Sequence, residues 1–557
     1  MTVSSTVESK VLIRHAEPMA RGTLPYRVWI GVTGHRRLPA SPELPKHVRQ
    51  ALDQIKKLLP TPRFTEVLFG VVSPLADGAD RMVASEVLTI PGAILEAALP
   101  MPRDEYENDF DDRSRGEFRE LLARAAEVTV QPRSSSREEA YERVGIYVVS
   151  RADFLIALWD GQRSRGRGGT ADVVDEANTQ GVPAYRISTF GDFALGSEAE
   201  RFTLPETVAV SLAHVDRYNK LASHHPPSKR TLDDFVAHWT SAAEKAQLSL
   251  DIVRPLAAWL APYLATADSN AIRYRRHYAL SGSGVFLAAA AAVLLAAIEG
   301  LFRVHEWVVA IAGLVLISCI GVVVFLEGHW HLSTWWVSSR VLAERLRVSL
   351  FQALFPSYET TTAAAAEYEV ADYRWVTQSF NEIWRARPKF GSGIVPFGPM
   401  RDFLVLGWID DQIQYYRSKY IYHRKRNRQL GAMVALLFVL TLLATGLHAF
   451  IVITEKTAHT GKAAEILSWP TVAIGIAIVL PALVAAVRGI EAQAEHRRIA
   501  DRFERMAAAL QSVRGRIARA TSLADLASTV QEAARLMLDE HRDWFGLMRF
   551  QELELHA

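Results

Sequence analysis

Two apolar runs with a short joint between them, 279–298 and 307–326, constrain this chain more than anything else in it. Each holds about 20 residues, enough to cross the hydrocarbon core of a bilayer as a helix. The joint, 299–306, is too short for a domain, so the pair is expected to form a transmembrane hairpin. The pattern recurs in the runs 430–452 and 469–487. Arg273, Arg275, Arg276 and His277 precede the first hairpin, as Arg424, Lys425, Arg426 and Arg428 precede the second. A charged helical pattern leaves each one, through Trp335, Trp336 and Arg340 in the first copy and from Arg488 in the second. This internal repeat predicts four spans.

Core helices of soluble proteins seldom run this long without a charge. The basic flanks, 273–276, 340–347, 424–428 and 488–498, also lie on one side of the spans, while the opposite turns carry only Arg303, Lys456 and Lys462. The positive-inside rule then predicts a multi-pass protein of the cell inner membrane with both termini in the cytoplasm.

A chain of 557 residues is too long for a single core, so several domains are expected. Its 63 basic and 61 acidic residues leave a net charge of +2, which is no footprint for nucleic acid. The single cysteine, Cys319, lies inside the second run, which argues against a disulfide framework, a zinc site or a catalytic thiol. No metal and no cofactor are expected. Residues 1–25 read as a flexible lead-in without a basic start and apolar core, so the domain after them is expected to stay in the cytosol.

That domain reads as strands at 26–32, 66–73, 93–99, 126–131, 153–159 and 182–187, alternating with helices at 48–59, from Arg81, at 138–150 and from Thr170 to Ala177. The run 153–159 is nearly all apolar, as the centre of a parallel sheet requires. The expected fold class is therefore α/β plus all-α membrane: a Rossmann-like parallel sheet, then four transmembrane helices in two hairpins with long cytoplasmic helices.

Three glycine-containing strand ends can meet at one sheet edge. The first holds Gly31, Thr33, Gly34, His35 and Arg36; the second holds Ser73, Asp77, Gly78, Asp80 and Arg81. The third runs from Asp160 through a basic glycine-rich loop to Gly168, Gly169, Thr170 and Asp172. Bare backbone N–H groups at a strand's carboxyl end and at a helix start suit a phosphate. Asp80 is also placed to cap the helix beginning near Arg81. Each loop alone reads equally well as a turn, but the three together point to a nucleotide-derived small-molecule ligand.

Further along, 191–248 carries no evident chemistry, and His224, His225, Pro226 and Pro227 mark a loop. Residues 249–264 and 271–278 are expected to be helix leading into the first span. Leu342, Leu346, Leu350 and Leu354 recur every four residues after the first hairpin. Ile499, Phe503, Met506, Leu510, Val513 and Ile517 follow the second in steps of four and three. Such seams predict helices beneath the membrane that pack on each other, on a neighbouring subunit of a homo-oligomer, or within one chain. Tyr373, Trp375, Phe380 and Trp384 predict one more packed helix.

Gly-Val-Thr-Gly-His-Arg, Ser-Pro-Leu-Ala-Asp-Gly-Ala-Asp-Arg and Gly-Arg-Gly-Gly-Thr-Ala-Asp resemble the SLOG superfamily, Rossmann-like domains related to LOG phosphoribohydrolases and to the DNA-processing protein A fold. The likeness covers roughly residues 26–190. The membrane half resembles SLATT, a two-span effector domain, here in two copies, and 408–417 is the more typical start. The resemblance implies this division: 1–25 lead-in, 26–190 ligand-binding domain, 191–270 connector, 271–390 and 391–557 two SLATT-like units. It also implies a ligand sensor fused to a membrane effector in bacterial antiphage defence, with the lipid bilayer as its target. The hydrolytic LOG enzymes carry a glutamate three residues after the threonine, and here Val173 holds that position. Binding without hydrolysis is therefore favoured over a membrane-anchored phosphoribohydrolase-like enzyme. A ligand-free membrane scaffold is a further rival.

Overall fold

The computed structural model describes residues 22–163, 166–189, 203–302, 306–355, 373–389, 396–458 and 469–549. The lead-in through residue 21, Arg303 and Lys462 lie outside them. In chain order the elements are β1 (Tyr26–Gly34), α1 (Glu43–Leu58), β2 (Val67–Ser73), α2 (Ala79–Val87), β3 (Ile94–Leu99), α3 (Arg103–Tyr106), α4 (Asp112–Arg124), β4 (Glu127–Val130), α5 (Arg137–Arg151), β5 (Phe154–Trp159), α6 (Thr170–Thr179), β6 (Ala184–Ser188) and α7 (Glu206–His224). Then come α8 (Lys229–Lys245), α9 (Leu250–Phe302), α10 (Glu306–Trp330), α11 (Leu332–Gln352), α12 (Arg374–Arg385), α13 (Phe397–Leu404), α14 (Asp410–Ala458), α15 (Trp469–Ala494), α16 (His496–Arg519) and α17 (Leu523–Arg549). They form two compact units.

The sheet unit takes in β1 to α7 and, from far along the chain, α12. Its six strands, in the order β4-β3-β2-β1-β5-β6, are all parallel. β1 and β5 lie side by side, with Gly34 level with Leu158. The chain winds outward from β1 to β4, crosses back through α5 and continues outward through β5 and β6. The winding direction therefore reverses between β1 and β5, where open α/β sheets form a crevice at the strand carboxyl ends. The apolar runs explain these positions: β1 is buried along nearly its whole length and β5 along most of its own. β4 alternates, leaving Val128 and Val130 exposed at an edge.

The amino end of the same sheet is closed by α7 and α12. Asn219 of α7 accepts the Leu24 N–H at 2.8 Å and donates to the Leu24 carbonyl at 2.7 Å, tying down the approach to β1. Arg27 meets Glu382 of α12 through two hydrogen bonds of 3.0 Å, both side chains buried. Asp153 accepts the Trp29 N–H at 2.8 Å and a hydrogen bond from Arg374 at 2.5 Å. The aromatic pattern at 373–384 thus does form a packed helix, with Trp375 buried beside Tyr218. α7, from the expected connector, and α12, from the expected first hairpin unit, both belong to the sheet unit.

The helical unit contains four helices long and apolar enough to cross a membrane, carried by α9, α10, α14 and α15. In the second and third, almost none of the apolar stretch is buried, so large side chains such as Leu314, Phe325, Leu442 and Phe450 face outward. A water-facing surface of that kind is unfavourable, whereas hydrocarbon accommodates it. The helical stretches expected at 249–264 and 271–278 and the first apolar run are one continuous helix, α9. α10 and α15 each end at a left-handed residue, His331 and Glu495, that turns the chain into the next helix.

The two leucine-type seams are filled inside the chain. Leu342, Leu346 and Leu350 of α11 are fully buried, chiefly against α9 and α17. Leu510, Val513 and Ile517 of α16 are buried chiefly against α14 and α17. The seam pattern therefore marks intrachain packing, with α17 touching both tails. Charge follows the same logic: Arg347 bonds to Asp268 at 3.0 Å and pairs with Glu344, which also pairs with Arg340.

Candidate functional site

A cavity of about 710 Å³ opens at the carboxyl ends of β1 and β5, where the winding reverses. It is large enough for a nucleotide-sized ligand. Nine residues singled out from the sequence line it: Thr33, Gly34, His35, Arg36, Asp80, Asp160, Gly168, Gly169 and Thr170. They come from three separate strand ends, which the parallel sheet brings to one edge.

The other six do not line it. A Cβ on Gly31 would come within 2.8 Å of the Ala152 Cβ, so this glycine lets α5 pack on β1. Ser73 is buried and accepts the Leu75 N–H at 3.0 Å. Asp77 pairs with Arg81 at 2.8 Å and accepts the Ser114 hydroxyl. Gly78 has φ +77°, and a Cβ there would lie 2.4 Å from the His35 carbonyl oxygen. That glycine lets the second loop close over the first. Arg81 is buried, donating to the Leu75 carbonyl at 3.0 Å and to Ser114 at 2.9 Å. Asp172 is discussed below.

Asp80 does not cap its helix. The helix starts at Ala79, and the Asp80 carboxylate instead accepts the Ala76 N–H at 3.3 Å. Burial pushes this carboxyl up to about 7, against the pull of the Ala76 N–H and of Arg36 and Arg81. The cavity therefore holds an acid poised near neutrality. Tyr106, buried against the same wall, has a hydroxyl with no hydrogen-bond partner.

The charge of the wall is mostly positive. Arg36, Arg37, Arg163 and Arg167 line the cavity, against the carboxylates of Asp80 and Asp160. Arg36 lies 5.0 Å from the Tyr141 ring centre. Burial works against its charge, but hydrogen bonding and charge interaction with Tyr141 outweigh this and raise its pKa. His35 Nε2 sits 3.2 Å from the Asp160 carboxylate, which also accepts the Gln162 N–H at 3.0 Å. That backbone hydrogen bond and His35 hold Asp160 below the usual carboxylate range.

The glycine-rich loop differs from a bare phosphate cradle. The Asp172 carboxylate accepts the N–H of Gly168 at 2.9 Å and of Gly169 at 3.3 Å. A side chain thus already fills part of the anion position at the start of α6. Val173, three residues after Thr170, packs in the hydrophobic core with Val144 and Val148.

Tyr106, Tyr141, Trp159, Arg37, Arg163 and Arg167 join the site without having been singled out. The arginines were legible as charge in the loops, but Tyr106 and Tyr141 sit on α3 and α5, which only the folded chain brings to this edge. No protein-family model matches the chain, and no curated protein matches it. Function rests on geometry.

Proposed function

We propose that the sheet unit is a sensor for a nucleotide-derived anion and that its occupancy controls a membrane effector formed by the four apolar helices. One observation carries the ligand class. The cavity at the reversal point combines the guanidinium groups of Arg36, Arg37 and Arg163, with Arg167 already paired to Glu142 at 2.7 Å, and the partly exposed rings of Tyr141 and Trp159. Arginines suit phosphate, and flat aromatic faces suit a base. The resemblance to SLOG and SLATT domains adds the setting of bacterial antiphage defence. The one-sided basic flanks support a multi-pass protein of the inner membrane with both termini in the cytoplasm. The spans carry almost no internal charge, which favours barrier disruption by a homo-oligomer over a selective ion path.

The test has two steps on the full-length protein. Calorimetry against nucleoside monophosphates, cyclic nucleotides and ADP-ribose should find a binder that Arg36→Ala weakens about tenfold or more. Liposomes holding the protein should then release dye with that binder and stay sealed without it. If nothing in the panel binds at millimolar concentration, the sensor reading fails. Gly34→Asp is unsuitable as a probe, because even a Cβ there would sit 2.4 Å from the Ala79 Cβ.

Asp80 supports a second reading. A carboxyl poised near 7 in a ligand cavity is suited to general acid–base work, as in cleavage of an N-glycosidic bond. Release of free base from a nucleoside monophosphate or NAD, lost in Asp80→Asn, is its expected signature. No release during prolonged incubation rejects it.

A further inference from the structure

We propose that Tyr106 and Asp80 form a slot for a sugar hydroxyl of the ligand, which makes the cavity of the sheet unit select a ribonucleotide over its deoxy form. The inference rests on the reading of that cavity as a nucleotide site and names the part of the nucleotide that these two residues recognise. Tyr106 ends α3 and is fully buried, yet it belongs to the cavity lining. Phe110 and Phe118 hold its ring edge-on, with ring centres 4.9 and 5.7 Å away. Burial, and after it the charge of Asp80, pushes the phenol well above its ordinary range, so Tyr106 keeps its proton and is a hydrogen-bond donor at neutral pH. That hydroxyl has no hydrogen-bond partner, whereas the hydroxyl of Tyr141, on the same wall, donates to Asp109. A buried donor left unpaired costs free energy, and an acceptor on a bound molecule removes that cost.

Asp80 decides which acceptor fits. Its side chain lines the same cavity and acts electrostatically on Tyr106. One carboxylate oxygen accepts the Ala76 N–H at 3.3 Å. A phosphate oxygen accepts from Tyr106, but it is repelled by Asp80 once that carboxyl is ionised. A hydroxyl satisfies both groups, because it accepts from the tyrosine and donates to the carboxylate. Arg36 interacts with Asp80 and with Tyr106 alike, so a phosphate held by this arginine has the slot beside it. A phosphate next to a hydroxyl is the arrangement that a ribose phosphate offers. A site built to hydrogen-bond a hydroxyl also rejects the analogue that lacks it, because its own buried polar groups are then left unpaired.

The test is calorimetry on the full-length protein in detergent with AMP, 2′-deoxy-AMP and 3′-deoxy-AMP, at pH 8, above the value of about 7 for the Asp80 carboxyl. AMP should bind at least about tenfold tighter than one of the two deoxy forms. Tyr106→Phe should bring AMP down to the affinity of that deoxy form, whose own affinity should stay within about twofold. Asp80→Asn, which replaces a charged acceptor with a neutral one, should shrink the preference. Without nucleotide, Tyr106→Phe should melt no lower than the parent, because it removes a hydroxyl that the free protein leaves unpaired. AMP binding with no preference over either deoxy form overturns the slot and leaves the sensor reading standing. So does a full preference in either variant, or a lower melting temperature for ligand-free Tyr106→Phe. No AMP binding at millimolar concentration also overturns the slot, and it overturns the sensor reading only if the other nucleotides and ADP-ribose fail to bind as well.

Discussion

Asp80 is where the sheet unit departs most from ordinary residue chemistry. Its carboxyl is pushed up to about 7 in the folded protein from an ordinary 3.8. The folded state therefore holds a proton that the unfolded chain loses first. The stability linked to that proton is full below about pH 4 and is lost as pH rises through about 7. Asp80→Asn should flatten this part of the profile: the difference in melting temperature between variant and parent should grow in favour of the variant from pH 4.5 to pH 8. A constant difference across that range would show that Asp80 is an ordinary carboxylate. Asp172 makes the converse case, since its carboxylate occupies the N–H groups a phosphate would use. Asp172→Ala should cost about 1 kcal/mol in thermal unfolding, as the loss of a helix cap does. It should also tighten AMP binding several-fold by calorimetry, because the anion no longer competes with a side chain. These roles were not legible in the sequence. Aspartates three residues into a helix and two residues after a glycine read as caps or ligands alike until their surroundings are known.

At the scale of elements, α12 shows how far local pattern reaches. The spacing of Trp375, Phe380 and Trp384 was enough to predict a packed helix, because helical periodicity is a local property. Its partners were not legible, since the Arg27–Glu382 pair spans most of the chain. Breaking a buried ion pair by removing one partner leaves an uncompensated charge, at a cost of about 3–5 kcal/mol. Glu382→Ala should therefore lower sheet-unit stability by roughly that amount in denaturant unfolding. The Arg27 hydrogen bonds to the Phe69 and Gly92 carbonyls should keep the loss at the lower end. The leucine seams carry the same lesson. Steps of three and four marked buried faces on α11 and α16, but the identity of the covering helix is a tertiary fact.

The whole molecule joins a parallel sheet to four apolar rods, and Cys319 gives a clean probe of the second part. It is the only cysteine, it lies within α10 and its side chain faces outward. If α10 crosses a bilayer, that thiol meets lipid. A membrane-impermeant maleimide should then fail to label reconstituted protein from either side, and should label it fully once detergent and denaturant are added. Rapid labelling in sealed vesicles would mean that α10 does not span.

The sequence by itself determined the four long apolar helices, the parallel sheet and the three loops that meet at its edge. Each depends on a run or a period within some twenty residues, and hydrophobic burial acts on such patterns wherever the segment is placed. Tertiary structure alone decided that Tyr106 and Tyr141 line the cavity, that Asp172 fills its own phosphate cradle and that α12 returns to the sheet. Those outcomes depend on which distant groups share a low-dielectric neighbourhood, where an unmet hydrogen bond or charge costs far more than in water.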